Sequence, residues 1–131
     1  MYSFEPTEEQ QMLVEAVGKY AANDLRPAAR EAEESGELLQ KLLSKGWEIG
    51  LLQASLPEAY SGFGERSAVT GVLAIEEMAF GDLAGTLAVL TPSLFATPIL
   101  LAGSEEQKQE YLPKVIEGEW SPYTAALIEY A

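Results

Sequence analysis

From Leu83 to Ser104 the chain reads LAGTLAVLTPSLFATPILLAGS, without one charged side chain, between Asp82 and the pair Glu105-Glu106. Such a segment belongs inside protein or lipid, because its side chains gain nothing from water. Its length is close to the roughly 20 residues that span a bilayer. Against a membrane span stand Pro92 and Pro98, the threonines Thr86, Thr91 and Thr97, and the serines Ser93 and Ser104. The flanks are acidic and Lys108 is the first base beyond them, so no basic cluster marks a cytoplasmic side. The segment is therefore expected to be a core helix, apolar on every face and wrapped by other helices. It should be the most buried element, with Leu87, Leu90, Leu94 and Ile99 among the residues it hides.

A chain of 131 residues, 47% of them hydrophobic, is long enough for one domain with a real core. It contains neither cysteine nor histidine, so disulfides, thiol chemistry, and the commonest metal ligand and general base are excluded. A formal charge of −13 disfavours nucleic acid and anionic membrane surfaces as partners. The opening MYSFEPTEEQ is acidic and mostly polar, unlike a signal peptide, which makes a cytoplasmic location the expectation.

Helical signals fill most of the chain. Thr7 and Gln10 have the spacing of a capping box, followed by Leu13, Ala16, Val17, Tyr20 and Ala21 on one face to about Asp24. Pro27 suits the start of a second, short helix that Gly36 ends, and a third carries Leu38, Leu39, Leu42 and Leu43 up to Gly46. Trp47 to Glu65, with Gly50, Pro57, Gly62 and Gly64, reads as a loop with fixed turns. A helix resumes near Ser67, with Val69, Val72, Leu73 and Phe80 roughly on one side, and Gly81-Asp82 breaks it before the central segment. Ser104 and Gln107 form a second capping box, opening a charged helix that should end at Leu112-Pro113, and Gly118 marks a turn. Tyr123 to Ile128 favour a strand. The fold expected is all-α: a bundle of about five or six helices over residues 1–121, with the start of a β domain at 122–131.

Few residues carry recognisable chemistry. Glu76 and Glu77 are adjacent on a helix and point about 100° apart, so they do not share a proton. The loop SGFG lacks the spacing and the lysine of a phosphate loop. Trp47 and Trp120 read as core or interface residues. No nucleophile–base arrangement is visible, and no catalytic or metal-binding residue is expected.

Read in order, four segments resemble the N-terminal helical domain of the acyl-CoA dehydrogenase family. They are TEEQQMLVEAVGKYAANDLRPAAREAE, the loop GLLQASLPEAYSGFG, the helix end EEMAFGD with its following SL and PIL, and GSEEQKQEYLPKVIEGEW. The loop is similar to the family's Pro-Glu-x-Tyr-Gly-Gly-x-Gly pattern, with Ser61 at the first of the two glycines. At the end, Ala126 to Tyr130 matches Ala-Leu-Thr-Glu-Pro, with Ile128 in place of the threonine and Tyr130 in place of the proline.

The resemblance implies a larger FAD-dependent enzyme that removes an α proton and a β hydride from an acyl-CoA thioester. Its catalytic glutamate comes from a C-terminal domain outside these residues. It implies further that the central helix places Leu90, Thr91 and Leu94 near the acyl chain. The matching strand positions Ala125, Leu127 and Ile128 would contact the flavin. Electron-transfer flavoprotein and further copies of the same subunit are the implied partners. Two functions are consistent with this: one wall of the acyl and flavin pocket, inactive alone, or a non-catalytic interaction module or degenerate subunit of a hetero-oligomeric dehydrogenase.

Overall fold

The computed structural model describes residues 5–126 and 128. Helix α1 (Glu8–Tyr20) opens on the expected capping box: the Gln10 N–H donates to Thr7 Oγ1 at 3.2 Å and the Thr7 N–H to Gln10 Oε1 at 2.9 Å. The chain does not break after Asp24. Ala21–Leu25 forms a π-helical turn in which the Arg26 N–H reaches back to the Ala21 carbonyl, and α2 (Arg26–Ser35) follows directly. Widening the helix ahead of Pro27, which has no N–H to donate, lets one continuous rod carry a proline. Gly36, at φ 72°, ends it as expected.

Helix α3 (Gln40–Glu48) runs through Gly46, which was expected to stop it. There glycine serves close packing: a Cβ would lie 2.7 Å from Val89 Cγ2 and 2.8 Å from the Tyr20 hydroxyl. The stop is Gly50, at φ 79°. The following stretch, expected to be loop throughout, contains one helical turn, α4 (Leu51–Ala54), and a 3₁₀ turn at Glu58–Tyr60. Both are single turns, too short to show periodicity in the sequence.

Ser67 caps α5 (Ala68–Gly81) and Asp82 caps α6 (Leu83–Ala102) through the Gly85 N–H. Helix α7 (Glu105–Ile116) opens on the second capping box. It carries Pro113 inside and ends three residues beyond the stop expected there. Of the expected strand, residues 123–126 and 128 adopt no strand, and Leu127 lies outside the described residues. A strand requires a ladder partner, and no extended segment among the described residues supplies one. The Tyr123 ring instead lies 5.4 Å from Phe95.

Two apolar clusters form the core. One gathers Val17, Tyr20, Leu25, Leu43, Met78 and Val89; the other gathers Trp47, Leu52, Leu56, Ala96, Leu112 and Ile116. Helix α6 threads both, with Val89 in the first and Ala96 in the second. The tryptophans tie the segment after α7 to the bundle: Trp47 Nε1 donates to the Gly118 carbonyl at 3.0 Å and Trp120 Nε1 to the Ala88 carbonyl at 3.2 Å.

Helix α6 is central, but it is not wrapped. Gly85, Thr86, Val89, Pro92 and Ala96 are buried, whereas Leu83, Leu87, Leu94 and Leu101 are 57–64% exposed, with Leu90 and Ile99 between these extremes. Its neighbours α3, α5 and α7 cover one side only, which overturns the expectation of an all-round buried helix. By length and composition alone it could cross a membrane.

Candidate ligand groove

The open side of α6 borders the larger of two clefts described in the structure. A groove of about 620 Å³ runs between α1, α5, the α4 loop and α6. Leu13, Leu51, Phe63, Ile75 and Leu90 give it an apolar lining, and Glu9, Arg66, Ser93 and Thr97 add polar groups. Its volume and mostly apolar lining suit a small organic ligand with a long apolar part.

Of the three residues expected at an acyl chain, Leu90 lines this groove. Thr91 and Leu94 do not: they lie on the neighbouring open stripe of α6. Thr91 Oγ1 is occupied by its own helix, donating to the Leu87 carbonyl at 2.9 Å, and Leu94 is 57% exposed. Ser93 and Thr97, which the sequence reading passed over, do line the groove. They follow Leu90 at i+3 and i+7, the spacing that places residues on one helical face. Phe63 was missed as well, because a glycine-rich turn gives no signal of where its side chain points.

The loop over residues 55–64, which brings Ser55, Phe63 and Gly64 to the groove, is held from behind. Tyr60 donates to Glu105 Oε2 at 2.7 Å, Lys108 Nζ lies 2.9 Å from Glu105 Oε1, and Ser61 Oγ donates to Glu117 Oε1 at 2.6 Å. The lysine hydrogen bond, then the tyrosine one, hold the Glu105 carboxyl below its ordinary value. The same carboxylate pushes the Tyr60 hydroxyl and the Lys108 ammonium up. Ser61 sits at φ 67°, in the left-handed region that favours glycine, and its hydroxyl provides the second tie to α7.

A smaller cleft of about 340 Å³ lies over the π turn, lined by Lys19, Tyr20, Asp24 and Lys45. Lys45 pairs with Asp24 at 2.7 Å. Tyr20 donates to the Leu42 carbonyl at 2.7 Å, and burial, then the nearby Asp24 charge, push its pKa up to about 12. These contacts join α1 to α3. Glu76 is exposed and Glu77 half-buried, its carboxylate lying over Gly18, so the adjacent pair faces two environments.

The family model for the acyl-CoA dehydrogenase N-terminal domain matches residues 7–119. The chain belongs to the acyl-CoA dehydrogenase family. Within that family it is 34% identical over 110 residues to a Caenorhabditis briggsae protein named probable medium-chain specific acyl-CoA dehydrogenase 2, mitochondrial. That match covers 84% of this chain and 27% of the relative. Butyryl-CoA dehydrogenase from Megasphaera elsdenii superposes with a TM-score of 0.77 at 28% identity, over 88% of this chain and 31% of that one. A chain from the structure described as the electron transferring flavoprotein of Acidaminococcus fermentans also gives 0.77, at 35% identity, over 89% and 31%. The chain thus spans under a third of the length of these relatives.

Acyl-CoA dehydrogenase homologues imply a flavin cofactor, so its fit to the residues present matters. Ala125 and Ile128, two of the three positions expected at the flavin, are exposed, and neither side chain carries a polar atom. A flavin ring presents nitrogens and carbonyl oxygens that need hydrogen-bond partners, and these side chains supply none. Any polar contact from Ala125 or Ile128 to a flavin would therefore come from the backbone.

Proposed function

We propose that this chain forms the N-terminal wall of the acyl pocket of a flavin-dependent acyl-CoA dehydrogenase and has no activity alone. One observation carries this reading: the leucine stripe of α6 stands open beside a groove of acyl-chain dimensions that the half-buried Leu90 of the same helix lines. The role of the chain's own residues is to shelter. Leu90, with Thr91 and Leu94 alongside, removes water from one side of an acyl chain. Ser93 and Thr97 give the groove hydroxyls without adding charge. In this reading the α proton goes to a glutamate outside this chain, and loss of a positioned base removes roughly 10²- to 10⁴-fold of rate.

The same reading assigns residues from 122 onward to a β domain, with Ala125, Leu127 and Ile128 at the flavin once neighbouring segments complete the site. It assigns electron-transfer flavoprotein as redox partner, further copies of the subunit as oligomeric partners, and a cytoplasmic location. Helix α6 faces pocket and protein in this reading, not lipid. An interaction module remains the competing reading, since eight of the fourteen exposed large hydrophobic residues described lie on α5 and α6.

Purification and assay of the chain test the proposal. It should elute colourless from gel filtration in the presence of FAD and fail to reduce a dye acceptor with butyryl- or octanoyl-CoA. Stoichiometric flavin retained through the column, or dye reduction, would contradict it.

A further inference from the structure

We propose that Phe63 sets the length of acyl chain that the groove accepts, an assignment that rests on reading the groove as an acyl site. Phe63 lines the groove from the loop, while Leu90 lines it from α6. It is 64% exposed and belongs to neither core cluster, so its ring does not hold the fold together. The backbone that carries it is pinned on both sides. Its N–H donates to the Gln53 carbonyl at 3.1 Å, and those of Gly62 and Gly64 donate to the Pro57 and Leu56 carbonyls, each at 3.1 Å.

Both flanking glycines are pressed onto backbone. A Cβ would lie 2.0 Å from the Leu56 carbonyl oxygen at Gly62, and 2.1 Å from that of Ala54 at Gly64. The ring itself rests against Gly50, where a Cβ would come 3.1 Å from Phe63 Cζ. Behind the loop, Tyr60 and Ser61 are tied to Glu105 and Glu117. A bulky side chain carried on a pinned backbone at the wall of an open groove limits how far a straight chain extends. The contacts it offers are apolar, so the ligand part it meets is the hydrocarbon end of a thioester and not its polar head.

The test uses the chain with ¹³C-labelled methyl groups, titrated with hexanoyl, octanoyl, decanoyl and dodecanoyl thioesters of N-acetylcysteamine. Shifts of the Leu90, Leu51 and Val72 methyls report entry into the groove. Each methylene sheltered should raise affinity roughly two- to four-fold, up to a limiting length at which the chain meets the ring. Phe63→Ala should move that limit to longer chains and Phe63→Trp to shorter ones, with Phe63→Leu between wild type and alanine. Thermal melts matching wild type are expected for all three. The same limiting length in wild type, Phe63→Ala and Phe63→Trp, with Leu90 still shifting, would overturn the role of Phe63 and leave the groove reading standing. No methyl shift with any thioester would overturn the groove reading and the Phe63 assignment together.

Discussion

One face of α6 packs Gly85, Val89, Pro92 and Ala96 into the bundle, while the opposite face leaves Leu83, Leu87, Leu94 and Leu101 in the open. The two are almost equally apolar, and they differ in size. Small residues let other helices approach: a Cβ on Gly85 would lie 2.7 Å from Leu25 Cδ2, and Val89 fills the notch at Gly46. Leucines on such a face would hold the neighbouring backbones apart, whereas on the open side they project where a ligand or further protein has room. Within an unbroken apolar run, then, residue volume separates the face that builds the fold from the face left open.

The largest expected effect breaks this symmetry directly. Val89→Asp places an unpaired charge in the core and should cost several kcal/mol, enough to unfold the domain. Leu94→Asp lies on the open side and should stay within about 0.5 kcal/mol of wild type. Circular-dichroism melts of the two variants would separate the faces, and equal destabilisation would erase the distinction. Reading the segment as buried all round leads to the opposite expectation for Leu94, because uniform hydropathy hides which face is covered.

Next in size is the close approach on the buried side. Gly46→Ala forces Val89 or Tyr20 to move and should cost about 1–3 kcal/mol by urea denaturation. A neutral result would mean that α3 and α6 have slack between them. A smaller loss, about 1 kcal/mol, is expected for Ser104→Ala, which removes the cap of the helix bracing the second core cluster.

The mildest effects are pH dependences at the contacts that hold the loop and α1. The Glu105 carboxyl is held below its ordinary value of 4.5 by Lys108 and Tyr60, so its contribution is present above that value. It is lost as pH falls through the lowered folded value. Glu105→Gln should remove this acid-side slope in urea melts and leave the neutral region nearly flat. Tyr20 behaves in the opposite sense. Its neutral form is favoured by the fold, so the contribution is whole below pH 10 and disappears as pH rises towards about 12. Tyr20→Phe should flatten that alkaline loss.

Much of the fold was legible because its signals are local. Both capping boxes, the glycine stop at Gly36 and the Asp82 break stand in the sequence and in the structure alike. What escaped depends on partners distant along the chain. Gly46 reads as a stop until Val89 and Tyr20 are seen against it, and Pro113 reads as an end although α7 continues past it. At the groove, resemblance pointed to Leu90, and helical spacing alone could have added Ser93 and Thr97. Phe63 could not be found this way, since its place rests on one backbone hydrogen bond to Gln53 and on ring contact with Gly50.

The most direct test of the two-faced helix uses the absence of native cysteine. Leu94→Cys and Ala96→Cys differ by two positions on α6 yet fall on opposite faces, 57% and 0% exposed in the parent residues. With a thiol-reactive dye under native conditions, Leu94→Cys should label at close to the rate of an unstructured cysteine peptide. Ala96→Cys should label only as fast as the domain unfolds, and its protection should vanish in urea. Equal protection of both thiols would contradict an open leucine face, and with it the pocket wall assigned to α6.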